Sequence, residues 1–289
     1  MIFNGRRVGG RPAGPPSLAA PPGNLWHALG VLFVIATFAP PLVLLVAGSL
    51  HQPGRPPPPR PQLVPDPVST TGYGEAMRIG ELLRTGLNSV IVATVAVPVS
   101  VLVASLAGFA LAHLAPRLGR VVLGASLVAL MVPATALLVP RFTVYRWLGL
   151  SDTLAPLIAP ALVATSPLYV LVYYVAFRAL PRDLYDACQI EDLTPLQTWW
   201  RVALPLVRPV TAAVVVLTFM ITWSNFLDPL VYIYDRDLFT IPLALRSLAT
   251  LDPTDFPIFL AGAVIATIPA VIVFAVTQRR LYRYNDQMG

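Results

Sequence analysis

The interval Arg178-Ala-Leu-Pro-Arg-Asp-Leu-Tyr-Asp-Ala-Cys-Gln-Ile-Glu-Asp-Leu-Thr-Pro-Leu-Gln-Thr-Trp-Trp-Arg-Val-Ala-Leu-Pro-Leu-Val-Arg-Pro209 is polar, broken by prolines and set between two apolar runs. Asp183 is a candidate N-cap, and Leu184, Ala187, Cys188 and Glu191 follow it with helical spacing. Thr194-Pro195 restarts a second short helix, with Thr at the cap and Pro in the first turn. Pro205 and Pro209 close that helix and open the next apolar run. A short helix with acids at its start suits a groove on another protein. It suits equally a solvated connector that touches only its own chain, and spacing alone leaves both readings open.

Around this interval the chain is 56% hydrophobic and 12% charged, where a soluble domain carries roughly 25% charged residues. So few charges cannot coat a soluble surface, and the surplus apolar side chains must face lipid. Crossing roughly 30 Å of hydrocarbon takes about 20 apolar residues. Apolar runs of this kind extend from Trp26 to Leu50, Leu87 to Leu114, Val121 to Pro140, Thr153 to Phe177 and Pro257 to Thr277, with a slightly shorter one from Val210 to Leu227. None contains Asp, Glu or Arg, whose ionised forms are costly at membrane depth. Membrane β-strands would be about 10 residues long and alternating. The expectation is an all-α, polytopic membrane protein with about six transmembrane helices, at about 26–50, 87–114, 120–140, 153–177, 208–230 and 257–278.

Residues 1–25 form an Arg/Pro/Gly-rich tail, expected to be disordered. The first run is longer than the roughly 7–15 residues of a signal-peptide core, so it reads as a retained span, kinked at Pro40-Pro41. Residues 51–72 are a Pro-rich outer loop of polyproline character. Segment 73–86 has a loose helical period and suits the membrane surface. All the basic residues are arginine. The segments holding Arg6, Arg7 and Arg11, Arg117 and Arg120, Arg178 to Arg208, and Arg279 to Arg283 outweigh the alternate ones, which favours an N-in/C-in orientation.

The composition also excludes functions. The arginines are scattered between apolar runs and form no stripe that would track nucleic acid. The single cysteine, Cys188, and three histidines, His27, His51 and His113, offer no disulfide framework, metal site or cofactor ligation. Without lysine the chain has no phosphate-binding Gly-x-x-x-x-Gly-Lys loop. An ion-coupled secondary transporter would favour acids inside the spans, and a membrane enzyme would need paired carboxylates or His-x-x-x-His near a span end.

The interval 178–209 resembles the EAA loop of ABC importer permeases, Glu-Ala-Ala-x-x-x-Gly followed at a fixed interval by Ile-x-Leu-Pro. Asp186-Ala187-Cys188 stands at Glu-Ala-Ala, Asp192 at the glycine and Val202-Ala203-Leu204-Pro205 at Ile-x-Leu-Pro, and Leu180-Pro181 matches the usual lead-in. Asp192 is the main departure, because a turn needing positive φ favours glycine. Asn88-Ser89, Leu148-Gly149-Leu150-Ser151-Asp152-Thr153, and Trp223-Ser224-Asn225-Phe226-Leu227-Asp228-Pro229 are similar to the carbohydrate-type permeases of the maltose/glycerol-phosphate kind. The resemblance covers about residues 26–283, a transmembrane domain whose coupling helix lies between spans four and five. It implies a multi-pass permease of a bacterial inner membrane, moving a sugar or sugar derivative. It also implies a second permease, ATP-binding cassette subunits that hydrolyse the ATP, and an extracytoplasmic solute-binding protein. The ATPase contact would fall on Asp186, Ala187, Cys188, Glu191, Asp192, Leu204 and Pro205.

For the solute path, sugar recognition wants hydroxyl and amide groups with an aromatic face. Asn88, Thr222, Trp223, Asn225 and Tyr232 offer that set. The same residue types also hydrogen-bond within helix bundles or sit in interfacial belts.

Overall fold

The structure, a computed structural model, describes residues 25–56 and 62–286. The expected tail, and Pro57 to Pro61 of the Pro-rich loop, lie outside the described residues. The chain divides into a first unit ending at Val43 and a second from Leu44 onward. Helix α1 (Leu25–Ser49) carries Pro40 and Pro41. From Ala28 to Val43 it is apolar around its circumference, as suits a membrane-spanning helix.

In the second unit the described elements are α2 (Thr71–Ile79), α3 (Leu82–His113), α4 (Pro116–Met131), α5 (Leu138–Trp147), α6 (Ala155–Ile158), α7 (Pro167–Arg178), α8 (Arg182–Ile190), α9 (Pro195–Gln197), α10 (Leu204–Leu206), α11 (Arg208–Trp223), α12 (Leu227–Tyr232), α13 (Ile241–Ala249) and α14 (Phe256–Asp286). Short 3₁₀ turns and one π-helical turn, Thr198–Ala203, fill several of the joints.

Four stretches are long and apolar enough to cross a membrane: Ala28–Ser49, Leu82–His113, Ala155–Arg178 and Pro253–Arg279. Two bent pairs, Arg117–Met131 with Ala134–Trp147 at 87° and Pro195–Leu206 with Arg208–Trp223 at 85°, bring the total to six if each counts as one span. The sequence reading treats 120–140 as one helix, whereas the structure breaks it at Val132-Pro133. Val132 is extended (ψ 115°), as residues before proline tend to be, and Pro133 has no N–H to continue the ladder.

Helix α3 is the spine. Ala96, Ser100, Ala104 and Gly108 recur every fourth residue along it, and all are buried. Small residues at that spacing let helices approach closely where lipid supplies no hydrophobic drive to associate. Helices α7 and α11 pack against α3. A Cβ at Gly108 would lie 2.6 Å from Cβ of Tyr173 and 2.9 Å from the backbone N of Tyr174. Around this contact Phe109, Tyr169, Tyr173, Phe177, Trp199 and Val214 form one core. A second core joins α2, the start of α3, α13 and α14 through Ala76, Leu82, Leu248 and Ala261. Helix α2, expected on the membrane surface, thus buries Gly72 and Ala76 and exposes its Glu75–Arg78 ion pair.

The segment between α12 and α13 is tied down by side chains. Asn88 Nδ2 donates to the carbonyls of Asp237 (2.7 Å) and Phe239 (3.0 Å). Ser89 Oγ accepts from Ile241 N at 2.9 Å. Asp152, at φ 57°, accepts with one carboxylate oxygen from the amides of Tyr234 and Asp235, both at 2.8 Å. Those two backbone donors hold its carboxyl below the usual carboxylate range.

Three outcomes follow. Gly108→Ala destabilises the bundle by about 1–3 kcal/mol, because the new methyl meets backbone. Gly124→Ala in α4, where nothing lies within 4 Å, is neutral or stabilising by up to ~1 kcal/mol. Denaturant titration in mild detergent checks both. Because the folded pKa of Asp152 is depressed, its contribution is complete above the unfolded value of about 3.9 and is lost as pH falls through the folded one. The melting difference between wild type and Asp152→Asn therefore narrows as pH is lowered from 7 towards 3.

Candidate functional site

The interval 178–209 folds as two short helices and an elbow. α8 begins at Arg182, with Pro181 in the cap position and no side-chain cap. Asp183, read from sequence as the N-cap, sits instead in the first turn, where its charge meets the positive helix end. Leu184, Tyr185 and Cys188 turn inward, whereas Asp183, Asp186, Ala187 and Ile190 are exposed. The offsets 183, 186, 187 and 190 put these four on one face. Ile190 is 84% exposed, an apolar knob among acids.

The inner face is fixed by aromatic rings. Tyr185 Oη donates to the carbonyl of Phe177, the end of α7, at 2.9 Å. Its ring meets His113, the end of α3, edge-on at 4.7 Å, and Phe109 lies 5.4 Å from Phe177. Burial pushes the Tyr185 phenol up, so it remains a donor. Tyr185 thus touches the ends of α3 and α7 at once. No sequence motif pointed to Tyr185; its position on the face opposite Asp186 was the available signal.

α8 ends in a Schellman turn. Leu193 N donates to Cys188 O at 3.0 Å and Asp192 N to Gln189 O at 3.1 Å, with Asp192 at φ 53°. The position does require the left-handed conformation that glycine adopts most readily. Thr194 then caps α9 with a reciprocal capping box: Gln197 N donates to Thr194 Oγ1 (3.3 Å) and Thr194 N to Gln197 Oε1 (2.9 Å). In the π-helical turn that follows, Leu204 N reaches back to Trp199 O. Pro205, with no N–H, follows directly, and the chain turns by 85° into α11.

A cavity of about 430 Å³ opens where α5, α6, α11 and α12 meet, lined by Thr135, Arg141, Thr165, Thr222, Ser224, Asn225, Phe226 and Asp228 among others. Arg141 Nη2 lies 3.4 Å from Asp228 Oδ1. Asn225 Nδ2 donates to Asp228 Oδ2 at 2.9 Å, and Asp228 N donates to Asn225 Oδ1 at 3.2 Å. Phe226 supplies an aromatic ring to the wall, with the Arg246 guanidinium 5.7 Å from its centre.

Of the residues proposed for the solute path, Thr222 and Asn225 line this cavity. Asn88 holds the α12–α13 segment. Trp223 is buried, stacks on Phe219 and donates Nε1 to Ala266 O at 3.0 Å. Tyr232 is buried against Tyr145 and donates to Leu138 O at 3.1 Å. Of the proposed coupling residues, Asp186, Ala187, Glu191 and Asp192 are exposed, Cys188 faces inward, and Leu204 and Pro205 are half-buried in the elbow. Sequence reading passed over Arg141, Asp228 and Phe226. The signal was that Arg141 and Asp228 each directly follow an apolar run.

The chain matches the family described as binding-protein-dependent transport system inner membrane component over residues 69–287. It is 35% identical over 192 residues to the arabinooligosaccharides transport system permease protein AraQ of Halalkalibacterium halodurans, covering 66% of this chain and 68% of that one. To the lactose transport system permease protein LacG of Rhizobium radiobacter it is 32% identical, covering 67% and 70%. To the trehalose transport system permease protein SugB of Mycobacterium tuberculosis it is 29% identical, covering 76% and 81%. Among solved structures, a bacterial ABC transporter involved in import of the acidic polysaccharide alginate superposes with a TM-score of 0.70 at 20% identity, over 87% of this chain and 93% of that chain. At that identity the likeness concerns the fold.

The Schellman turn gives a direct outcome. Asp192→Gly relieves left-handed strain of roughly 1–2 kcal/mol and gives back part of it as unfolded-chain entropy. It therefore slows limited proteolysis between α8 and α9, whereas Asp192→Val, β-branched at positive φ, speeds it.

Proposed function

The chain belongs to the family of binding-protein-dependent transport system inner membrane components, and from that membership we propose that it carries a sugar or sugar derivative through its half of a two-permease pathway. It is a multi-pass permease subunit of an ABC importer, a transport component of the inner membrane. The similarity to permeases named for arabinooligosaccharides, lactose and trehalose supports the solute class. The hydroxyl, amide and aromatic groups gathered around the cavity support it chemically.

The observation that carries the mechanism is the two-sided build of α8. Its outer face presents Asp183, Asp186, Ala187 and Ile190, suited to the groove of a separate ATPase subunit. Its inner face is bonded through Tyr185 to the ends of α3 and α7. ATP hydrolysis in this reading falls to the partner, whose movement pushes α8. The push reaches α3 and α7 through Tyr185, and α11 through the elbow at Pro205. α11 ends beside the cavity, so a shift at the cytoplasmic loop reshapes the wall that holds Thr222. The second permease and an extracytoplasmic binding protein complete the assembly. The arginine bias supports a cytoplasmic N-terminus, C-terminus and α8.

Asp186→Arg, or deletion across Ala187–Asp192, abolishes uptake while leaving the protein in the membrane, and the ATPase subunit no longer co-purifies. Full co-purification with the deletion variant refutes the docking role. Tyr185→Ala separates the steps: the ATPase still binds and hydrolyses ATP, and uptake falls by at least about tenfold, roughly 1.4 kcal/mol of lost coupling.

A further inference from the structure

Among the described residues the cavity wall carries two charged side chains, Arg141 and Asp228, and they are unequally satisfied. Both oxygens of Asp228 are engaged, one by Asn225 and one by Arg141. Only 10% of that side chain is exposed, against 26% for Arg141. The guanidinium touches the carboxylate at 3.4 Å, longer than the roughly 2.7–2.9 Å of a strong charge-assisted bond. Its Nε is buried with no hydrogen-bond partner. A pair serving only to tie α5 to α12 would be expected to close into a short, bidentate contact. This one leaves the guanidinium short of a closed ion pair, with Tyr145 as a further hydrogen-bonding neighbour, at the wall of a space that also presents Thr135, Thr165, Thr222 and Ser224.

We infer that Arg141 is a specificity-determining residue of this cavity. It offers N–H donors to solute oxygens while Asp228, engaged through both oxygens and mostly buried, cancels its charge, so the solute accepted is an uncharged polyhydroxy compound and not an anionic or cationic one. The cavity then offers surplus donors without surplus charge. A neutral saccharide supplies many acceptor oxygens and no charge to desolvate. A uronic acid would bring a carboxylate next to Asp228, whose charge already balances the one cation of the wall, and an amino sugar would meet a carboxylate that is mostly buried and already engaged by Asn225 and Arg141. This inference rests on the importer reading for its physiological meaning, although its electrostatic part stands apart from it.

The chain's single cysteine allows a direct test. In the purified full assembly, Cys188→Ala combined with Thr222→Cys places one thiol on the cavity wall. Its modification is timed with anionic (sulfonatoethyl) and cationic (trimethylammonioethyl) methanethiosulfonates, without solute or ATP. With the pair intact the two rates, corrected for intrinsic reactivity, agree within about threefold. Adding Asp228→Asn shifts the ratio towards the anionic reagent by about tenfold or more, and adding Arg141→Gln shifts it equally towards the cationic one. Maltotriose slows the labelling of the parent and trigalacturonate does not, and Arg141→Gln removes the protection. A ratio that neither substitution moves, or a parent strongly biased to one sign, overturns the neutral cavity. Protection by trigalacturonate at least equal to that by maltotriose, or by neither, overturns the solute class. Failure of the importer reading would show separately, as retained ATPase co-purification after deletion within α8.

Discussion

The close approach of α3 to α7 at Gly108 is the contact from which the rest of the bundle is arranged. Lipid gives helices no hydrophobic reason to associate, so contact area and backbone proximity must hold them together. The stripe Ala96, Ser100, Ala104 and Gly108 supplies that proximity. With the helices this near, Phe109, Tyr173 and Phe177 form a continuous aromatic core. The C-terminal ends of α3 and α7 then lie close enough for one side chain, Tyr185, to touch both. A larger residue at Gly108 would separate those ends, and α8 would have no common seat.

The cavity forms where the helices break. Ala134 and Thr135 follow the bend at Val132-Pro133; Pro160, Ala161 and Thr165 lie at the 3₁₀ turn and the left-handed pair Ala164 and Thr165 (φ 63° and 60°); Ser224 and Asn225 follow the end of α11. Irregular backbone within a membrane is tolerated where it is buried in protein or lines a polar space. The Thr and Ser hydroxyls beside these breaks give the space hydrogen-bonding groups without requiring charges inside the apolar runs. The prolines and left-handed residues thus bring polar side chains to a wall that is otherwise apolar.

Hydropathy was enough to place the apolar stretches, because lipid exposure imposes a long and simple pattern. The two short helices of the interval 178–209 were legible because their turn chemistry is local. Thr194 and Gln197 lie three residues apart and cap each other, and Asp192 needs positive φ only because α8 ends beside it. The cavity was less legible. Arg141 and Asp228 are 87 residues apart in sequence, and they meet only because two spans are bent. Trp223 and Tyr232 illustrate the opposite difficulty. Their polar tips suggest solute contact, yet the tertiary structure turns them to the carbonyls of Ala266 and Leu138. A tyrosine or tryptophan near a span end gives no local sign of which carbonyl it will find. The Ala96-to-Gly108 stripe was readable in principle, but its partner helix was not.

The π-helical turn at Thr198–Ala203 has one further consequence. By reaching back to Trp199 and not to Trp200, Leu204 N–H accommodates one residue more than an α-helical turn would. The wider turn absorbs that residue, so the winding beyond it keeps the phase of an α-helix one residue shorter. In an α-helix each residue advances the side-chain direction by about 100°. Were the same residues between Trp199 and Leu204 wound as regular α-helix, the chain beyond would be turned by about that angle. Leu204 and Pro205 would then start the elbow facing another way, and α11 would follow them. The winding of Thr198–Ala203 is therefore part of the address by which α11 presents its faces.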